Sequence, residues 1–251
     1  MVNVLFLDAP YSGKVELCQE TLDYITKFKK VALYASVQFV GKLERVEEQL
    51  KEIGVEFVTS KADRTSVKSQ LLGCDSYHDS LRLEDDFDAY LYIGDGKFHP
   101  LALVYGQKDL KEMKEIVRND PLQEKMFLMG VDEIAGILRK YRGSLVKFLS
   151  KSVVGVIVTI KPGQEQFRPA LALEEKFPDK KFHYFIDNNV SFDQLENFNF
   201  IDTWINTSCP RVGFDDQEKF QRGVVNLNDA YFAAEILAKG SVLNRVSKKK
   251  N

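Results

Sequence analysis

The sequence predicts an α/β protein made of two similar doubly wound domains with mostly parallel sheets. Short runs rich in β-branched and aromatic residues alternate with stretches of helical period. The alternation restarts near Gly106. The length of 251 residues, with 44% apolar and 29% charged side chains, suits one large soluble domain or two ordinary ones. Strand–helix–strand order favours parallel pairing through right-handed crossovers.

Residues 2–7 (VNVLFL) read as a buried strand and residues 8–13 as a turn. Residues 14–30 read as a helix with Val15, Cys18, Leu22 and Ile25 on its apolar face. Residues 31–37 (VALYASV) form the next strand. Residues 41–53 are amphipathic through Leu43, Val46 and Leu50, and Gly54 closes the helix. Residues 55–59 and Ala89–Ile93 are strands, and residues 101–105 read as another. Residues 110–150 are charged and helical, with a break near 119–121. Residues 153–160 (VVGVIVTI) carry the strongest strand signal in the chain. A helix at 166–177, a strand at 181–186, a short helix at 191–195 and a strand at 201–206 follow. The domains are expected at 1–106 and 107–251, with a frayed tail at 248–251.

Composition narrows the function. Lys and Arg number 35 and Asp and Glu 37, a net charge of -2, so no large basic footprint for nucleic acid is expected. No apolar run reaches membrane-spanning length, and the N-terminus lacks the basic segment of a secretory signal. Three widely spaced cysteines argue against a disulfide framework and for a reducing, cytoplasmic setting.

Open α/β sheets bind ligands at the carboxyl ends of their strands, and three such ends stand out. The strand Ala89–Ile93 runs into Gly94-Asp95-Gly96-Lys97-Phe98-His99. Its glycines let backbone approach a ligand. Asp95 can accept from hydroxyls or an amine, and His99 can donate to a carboxylate, although Gly-Asp-Gly alone also describes an ordinary turn. The strand at 153–160 runs into Lys161-Pro162-Gly163-Gln164, a glycine loop before a helix that suits an anion. The strand at 201–206 runs into Thr207-Ser208-Cys209-Pro210-Arg211. Pro210 extends the backbone at Cys209, and Arg211 favours its thiolate. Cys74 lies in a loop ahead of an acidic stretch, whereas Cys18 reads as a small core residue. Cys74 and His78 have the spacing of half a zinc site, but no second half follows. His183 reads as a core or loop histidine. No phosphate-binding loop, dinucleotide fingerprint or G-x-S-x-G elbow is present. Asp95 with Asp215-Asp216 near a metal describes a weaker alternative, a nucleotide-sugar transferase.

Leu72-Gly73-Cys74, Tyr92-Ile93-Gly94-Asp95-Gly96-Lys97-Phe98-His99 and Thr207-Ser208-Cys209-Pro210-Arg211 together resemble the diphthamide synthase family. The resemblance runs from Met1 to about Ala238, and its members perform the first step of diphthamide biosynthesis. It implies a radical transferase in which three cysteines, one from each of three similar domains, hold a [4Fe–4S] cluster. S-adenosylmethionine is cleaved there, and a 3-amino-3-carboxypropyl group passes to a histidine of translation elongation factor 2. By position, Cys74 and Cys209 are then metal ligands. Gly94, Asp95, Gly96 and His99 line the S-adenosylmethionine site, and Gly163, Gln164 and Arg211 reach its polar groups. Residues 1–106 and 107–251 resemble the family's second and third domains. The first domain, with its cysteine, has no counterpart in this sequence. The expected remedies are a separate polypeptide that supplies the third ligand, a different or incomplete cluster, or a non-catalytic S-adenosylmethionine-binding or scaffold protein. Association with itself or with a partner is expected on the same ground, with no nucleic acid and no membrane involved.

Overall fold

The computed structural model describes residues 9–161, 166–189, 191–216, 220 and 222–246. The strand expected at 2–7, the Gly163-Gln164 loop and the tail at 248–251 lie outside the described residues. The chain divides into two units, Met1–Gln107 with Glu112–Val131 and Lys108–Lys111 with Asp132–Asn251. The plan is mixed α/β, with one mostly parallel sheet in each unit.

Unit 1 contains α1 (Gln19–Ile25), β1 (Lys30–Ala35), α2 (Val37–Val40), α3 (Glu44–Glu52), β2 (Glu56–Val58), β3 (Ala89–Ile93), α4 (Leu101–Gly106), β4 (Ile116–Asp120) and β5 (Lys125–Met129). Its sheet runs β2-β1-β3-β4-β5, parallel except for β5. Central strands β1 and β3 are covered on both faces, so their apolar runs are continuous. Leu33, Ala35, Leu91 and Ile93 pack with Phe39, Val46 and Leu50 on one side. The alternate residues Tyr34, Tyr90 and Tyr92 are buried as well.

Three expectations are corrected in this unit. The helix expected over 14–30 forms only at α1. Val15 and Leu17 are buried ahead of it in extended chain. The Gln49 side chain stands in for a strand neighbour there, accepting from Leu17 N (2.7 Å) and donating to Leu17 O (3.1 Å). Residues 101–105 are helix, not strand. Ala102, Leu103, Val104 and Tyr105 are all buried, and an all-apolar run gives no period to separate the two. The third correction is the β4–β5 hairpin, which occupies ground that reads as helix. Arg118, Asn119 and Asp120 are buried polar residues on a strand, so the apolar signature of a buried strand is missing. The hairpin joins the first sheet, and this moves residues 112–131 into unit 1, past the boundary expected near Gly106.

Unit 2 contains α5 (Ala135–Ser150), β6 (Val153–Thr159), α6 (Phe167–Lys176), β7 (Lys181–Asp187), α7 (Phe192–Leu195), β8 (Thr203–Asn206), α8 (Pro210–Phe214), β9 (Val224–Asn226), α9 (Leu227–Tyr231), α10 (Ala233–Ala238) and α11 (Val242–Val246). Its sheet runs β7-β6-β8-β9, all parallel. Gly155 of β6 faces the fully buried Trp204 ring, which a Cβ would meet at 2.4 Å. Among the described residues no helix is long and apolar enough to cross a membrane.

Candidate functional site

In unit 1 the site forms at the carboxyl ends of β1, β3 and β4. Gly94 leaves β3 beneath the Tyr92 ring, which a Cβ would meet at 2.8 Å, and its N–H donates to Asn119 O (3.0 Å). Gly96 turns the loop with a φ of 64°, a conformation natural to glycine. Its carbonyl accepts from Arg118 Nη1 at 2.8 Å. Arg118 is itself buried and stacks on Phe127 at 4.0 Å, and its Nε meets no acceptor among the described residues. The loop is therefore pinned to β4 on both sides of Asp95, which is exposed. His99 is half-buried with its ring edge-on to Phe98 at 5.5 Å.

Cys74 belongs to the long segment between β2 and β3. Residues 69–71 first rejoin the sheet, with Ala35 N donating to Ser69 O (2.8 Å) and Leu71 N to Ala35 O (2.9 Å). The chain then turns tightly. Leu72 N donates to Asp75 Oδ2 (3.0 Å), Asp75 N to Leu72 O (3.0 Å) and Ser76 Oγ to Gly73 O (2.9 Å). The half-buried Cys74 sits within that turn. Burial pushes the Asp75 carboxyl above its usual range. The Phe98 ring covers Gly73 so closely that a Cβ there would meet it at 2.4 Å. The fold thus brings together the Gly73-Cys74 and Gly94–His99 motifs, which are far apart in sequence.

In unit 2 the half-buried Cys209 directly precedes α8, with Pro210 as its first residue. Asn206 Nδ2 donates to Cys209 O (2.9 Å), and Asn206 Oδ1 accepts from Ser208 N (3.1 Å) and Oγ (2.6 Å). Arg211 is buried, and its guanidinium forms an ion pair with Asp215, Nε lying 2.6 Å from Oδ2. The cation that the sequence offers to the thiolate or to a ligand is thus held by a neighbouring carboxylate one turn on. Gly163 and Gln164, assigned to the same ligand, fall outside the described residues.

Cys18 does not lie on the apolar face of a helix. It precedes α1, its N–H donates to Asn119 Oδ1 (3.0 Å), and its Sγ lies 3.2 Å from Thr21 Oγ1. His78, the other half of the zinc spacing, is exposed at the start of a single turn, and His183 packs edge-on to Phe200 at 5.1 Å. Sequence reasoning missed Arg118, Asn119, Asn206 and Asn226. The available signal was polar residues at strand ends, where parallel sheets place their ligands.

The family model described as "Putative diphthamide synthesis protein" matches residues 1–241. The chain belongs to this family. Among diphthamide synthesis proteins, it is 27% identical over 215 residues to the 2-(3-amino-3-carboxypropyl)histidine synthase of Pyrococcus horikoshii, covering 84% of this chain and 59% of that protein. It is 25% identical over 204 residues to subunit 1 of the corresponding synthase from Yarrowia lipolytica, covering 77% and 44%. The crystal structure of Dph2 from Pyrococcus horikoshii with 4Fe-4S cluster superposes with a TM-score of 0.73 at 24% identity, over 88% of this chain and 62% of that one. The chain therefore spans roughly half the length of these curated relatives.

Proposed function

We propose that this diphthamide synthesis protein is a 2-(3-amino-3-carboxypropyl)histidine synthase, or a subunit of one, acting on a histidine of translation elongation factor 2, with Cys74 and Cys209 as thiolate ligands of a [4Fe–4S] cluster. The observation that carries this reading is a family match over residues 1–241 that includes two half-buried cysteines, each in a hydrogen-bonded loop at the carboxyl end of a parallel sheet. Relatives named as the synthase and a solved relative holding a 4Fe-4S cluster support it.

The donors fit such a cluster in kind, because soft thiolates select iron–sulfur centres. They fall short in number. Among the described residues no group of three or more His, Cys, Asp or Glu side chains is placed to hold a metal ion. We assign the remaining ligand to a group outside the described residues. Three thiols without a disulfide suit the reducing cytoplasm. When bound, such a cluster supplies the electron that cleaves S-adenosylmethionine between its sulfur and the aminocarboxypropyl carbon. This chain's residues do the positioning. Gly96 keeps the exposed loop free of a side chain where a ligand approaches, and Gly94 makes room for the Tyr92 ring beneath it. Asp95, exposed between them, accepts from an amine or a ribose hydroxyl. His99 donates to a carboxylate.

The test is anaerobic purification, alone and with co-expressed family members from the same genome, followed by iron and sulfide assay and electron paramagnetic resonance. Loading is expected, and both Cys74→Ala and Cys209→Ala should abolish it. Protein that stays colourless after reconstitution in every combination would remove the metal-centred reading.

A further inference from the structure

We infer that a buried chain of hydrogen bonds running from Lys108 through Asp229, Tyr141 and Asn226 to Asn206 positions the loop that carries Cys209. The inference deepens the proposed function, since its consequence for a cluster rests on Cys209 being a ligand.

Lys108 and Asp229 are both buried, with side chains 1% and 3% exposed and Nζ 3.0 Å from Oδ1. The other carboxylate oxygen, Oδ2, accepts from Tyr141 OH at 2.6 Å. The phenol oxygen then accepts from Asn226 N at 3.0 Å. Asn226 Nδ2 donates to Pro210 O (3.0 Å), and its Oδ1 accepts from Asn206 Nδ2 (2.8 Å). Asn206 Nδ2 also donates to Cys209 O at 2.9 Å. Asn206 and Asn226 are register partners at the ends of β8 and β9. Two facing amides therefore hold two successive carbonyls, those of Cys209 and Pro210. Helix α8 packs directly on this pair, because a Cβ at Gly213 would lie 2.1 Å from Asn226 Oδ1.

The direction of each bond follows from the ion pair. An ionised carboxylate only accepts, so Tyr141 must donate to Asp229. Its oxygen is then left to accept from Asn226 N–H. At the far end the carbonyls of Cys209 and Pro210 also only accept, which fixes both amides in one orientation. Buried ion pairs seldom stabilise a fold beyond what apolar residues achieve. What this one contributes is a single geometry for the backbone that aims Cys209. Lys108, Asp229, Tyr141, Asn226 and Asn206 are on this view positioning residues.

The experiment compares Tyr141→Phe, which keeps the ring and deletes the linking hydroxyl, with Phe148→Leu, a core substitution elsewhere on α5. In metal-free protein, alkylation of each cysteine by iodoacetamide is followed by mass spectrometry, with Cys18 as internal reference. Tyr141→Phe is expected to speed Cys209 about tenfold, the effect of one lost buried hydrogen bond on a local opening equilibrium. Phe148→Leu of equal thermal midpoint should leave the ratio of Cys209 to Cys18 unchanged. In reconstituted protein, Tyr141→Phe should lose iron faster in air. If Tyr141→Phe fails to fold, the double variant Lys108→Met, Asp229→Leu takes its place with the same expectation. An unchanged Cys209 rate in a folded variant, or equal acceleration by Phe148→Leu, overturns the positioning role. Wild-type protein that never takes up iron overturns the cluster reading instead and leaves the alkylation comparison standing.

Discussion

Replacing Lys108 with methionine takes the buried cation away from Asp229. The carboxylate is 3% exposed and cannot turn to water, whereas Asp109, which also pairs with Lys108, is 29% exposed and can. Removing one member of a buried pair costs about 3–5 kcal/mol. Asp229 keeps the hydrogen bond from Tyr141 but loses its buried cation. Burial already pushes its carboxyl above the usual range, and Lys108 opposes that push. Without Lys108 the rise grows. A raised folded pKa means that the native state holds its proton where the unfolded chain has released it. The variant's stability is therefore full below the ordinary carboxylate range and falls as pH rises through the folded pKa, by up to about 1.4 kcal/mol per pH unit. The deficit against wild type should be largest near neutral pH and should narrow towards about pH 5. Trp204, the only tryptophan and fully buried in unit 2, reports this by fluorescence during urea unfolding. Adding Asp229→Leu should recover most of the loss by removing the stranded charge. A deficit under about 1 kcal/mol at neutral pH, or one that does not shrink in acid, refutes the reasoning.

Gly155→Ala forces a Cβ to within 2.4 Å of the Trp204 ring on a central strand. It should cost about 1–3 kcal/mol by overpacking, read as a lower urea midpoint. An unchanged midpoint would mean that the ring has room to move. Burial pushes the Tyr34 phenol up to about 12 from 10.0. Its protonated form is thus favoured in the fold, and its share of stability, about 3 kcal/mol for two pH units, is present below the ordinary tyrosine range and lost as pH rises towards the folded value. Tyr34→Phe should flatten that alkaline limb, and identical alkaline unfolding curves would count against the assignment. Gly73→Ala meets the Phe98 ring, which is 56% exposed and can swing out. Stability should change by less than about 1 kcal/mol, while proteolysis within residues 94–99 rises. An unaltered cleavage pattern would show that Phe98 does not tie the two loops together.

The parallel core was legible because β1, β3 and β6 are apolar on both faces and therefore read as continuous runs. The element β4 was not. Asn119 sits inside a strand because its amide answers Cys18 N, Thr21 Oγ1 and Glu16 O, all about a hundred residues earlier, and no local window contains those partners. α4 was lost to the opposite difficulty, burial so complete that no period remained. At the site, the glycines of residues 94–96 announced a turn, and Pro210 announced the extended backbone at Cys209. The part played by Asn206 and Asn226 depends on strand register, which only the folded sheet supplies. The Arg211–Asp215 pair, spaced one helical turn apart, was readable in principle. It takes from Arg211 the freedom that its neighbourhood with Cys209 suggests.

Residues 108–111 are assigned to unit 2 although residues on either side of them belong to unit 1. Their backbone carbonyls receive α11, Leu110 from Val242 N and Lys108 from Leu243 N, both at 2.9 Å. Neither unit can be inherited as one uninterrupted stretch of gene. A transplant of residues 132–251 into another protein would leave behind the tetrapeptide that seats its last helix and neutralises Asp229. Any recombination that exchanges these halves must carry that short excursion along or invent a substitute.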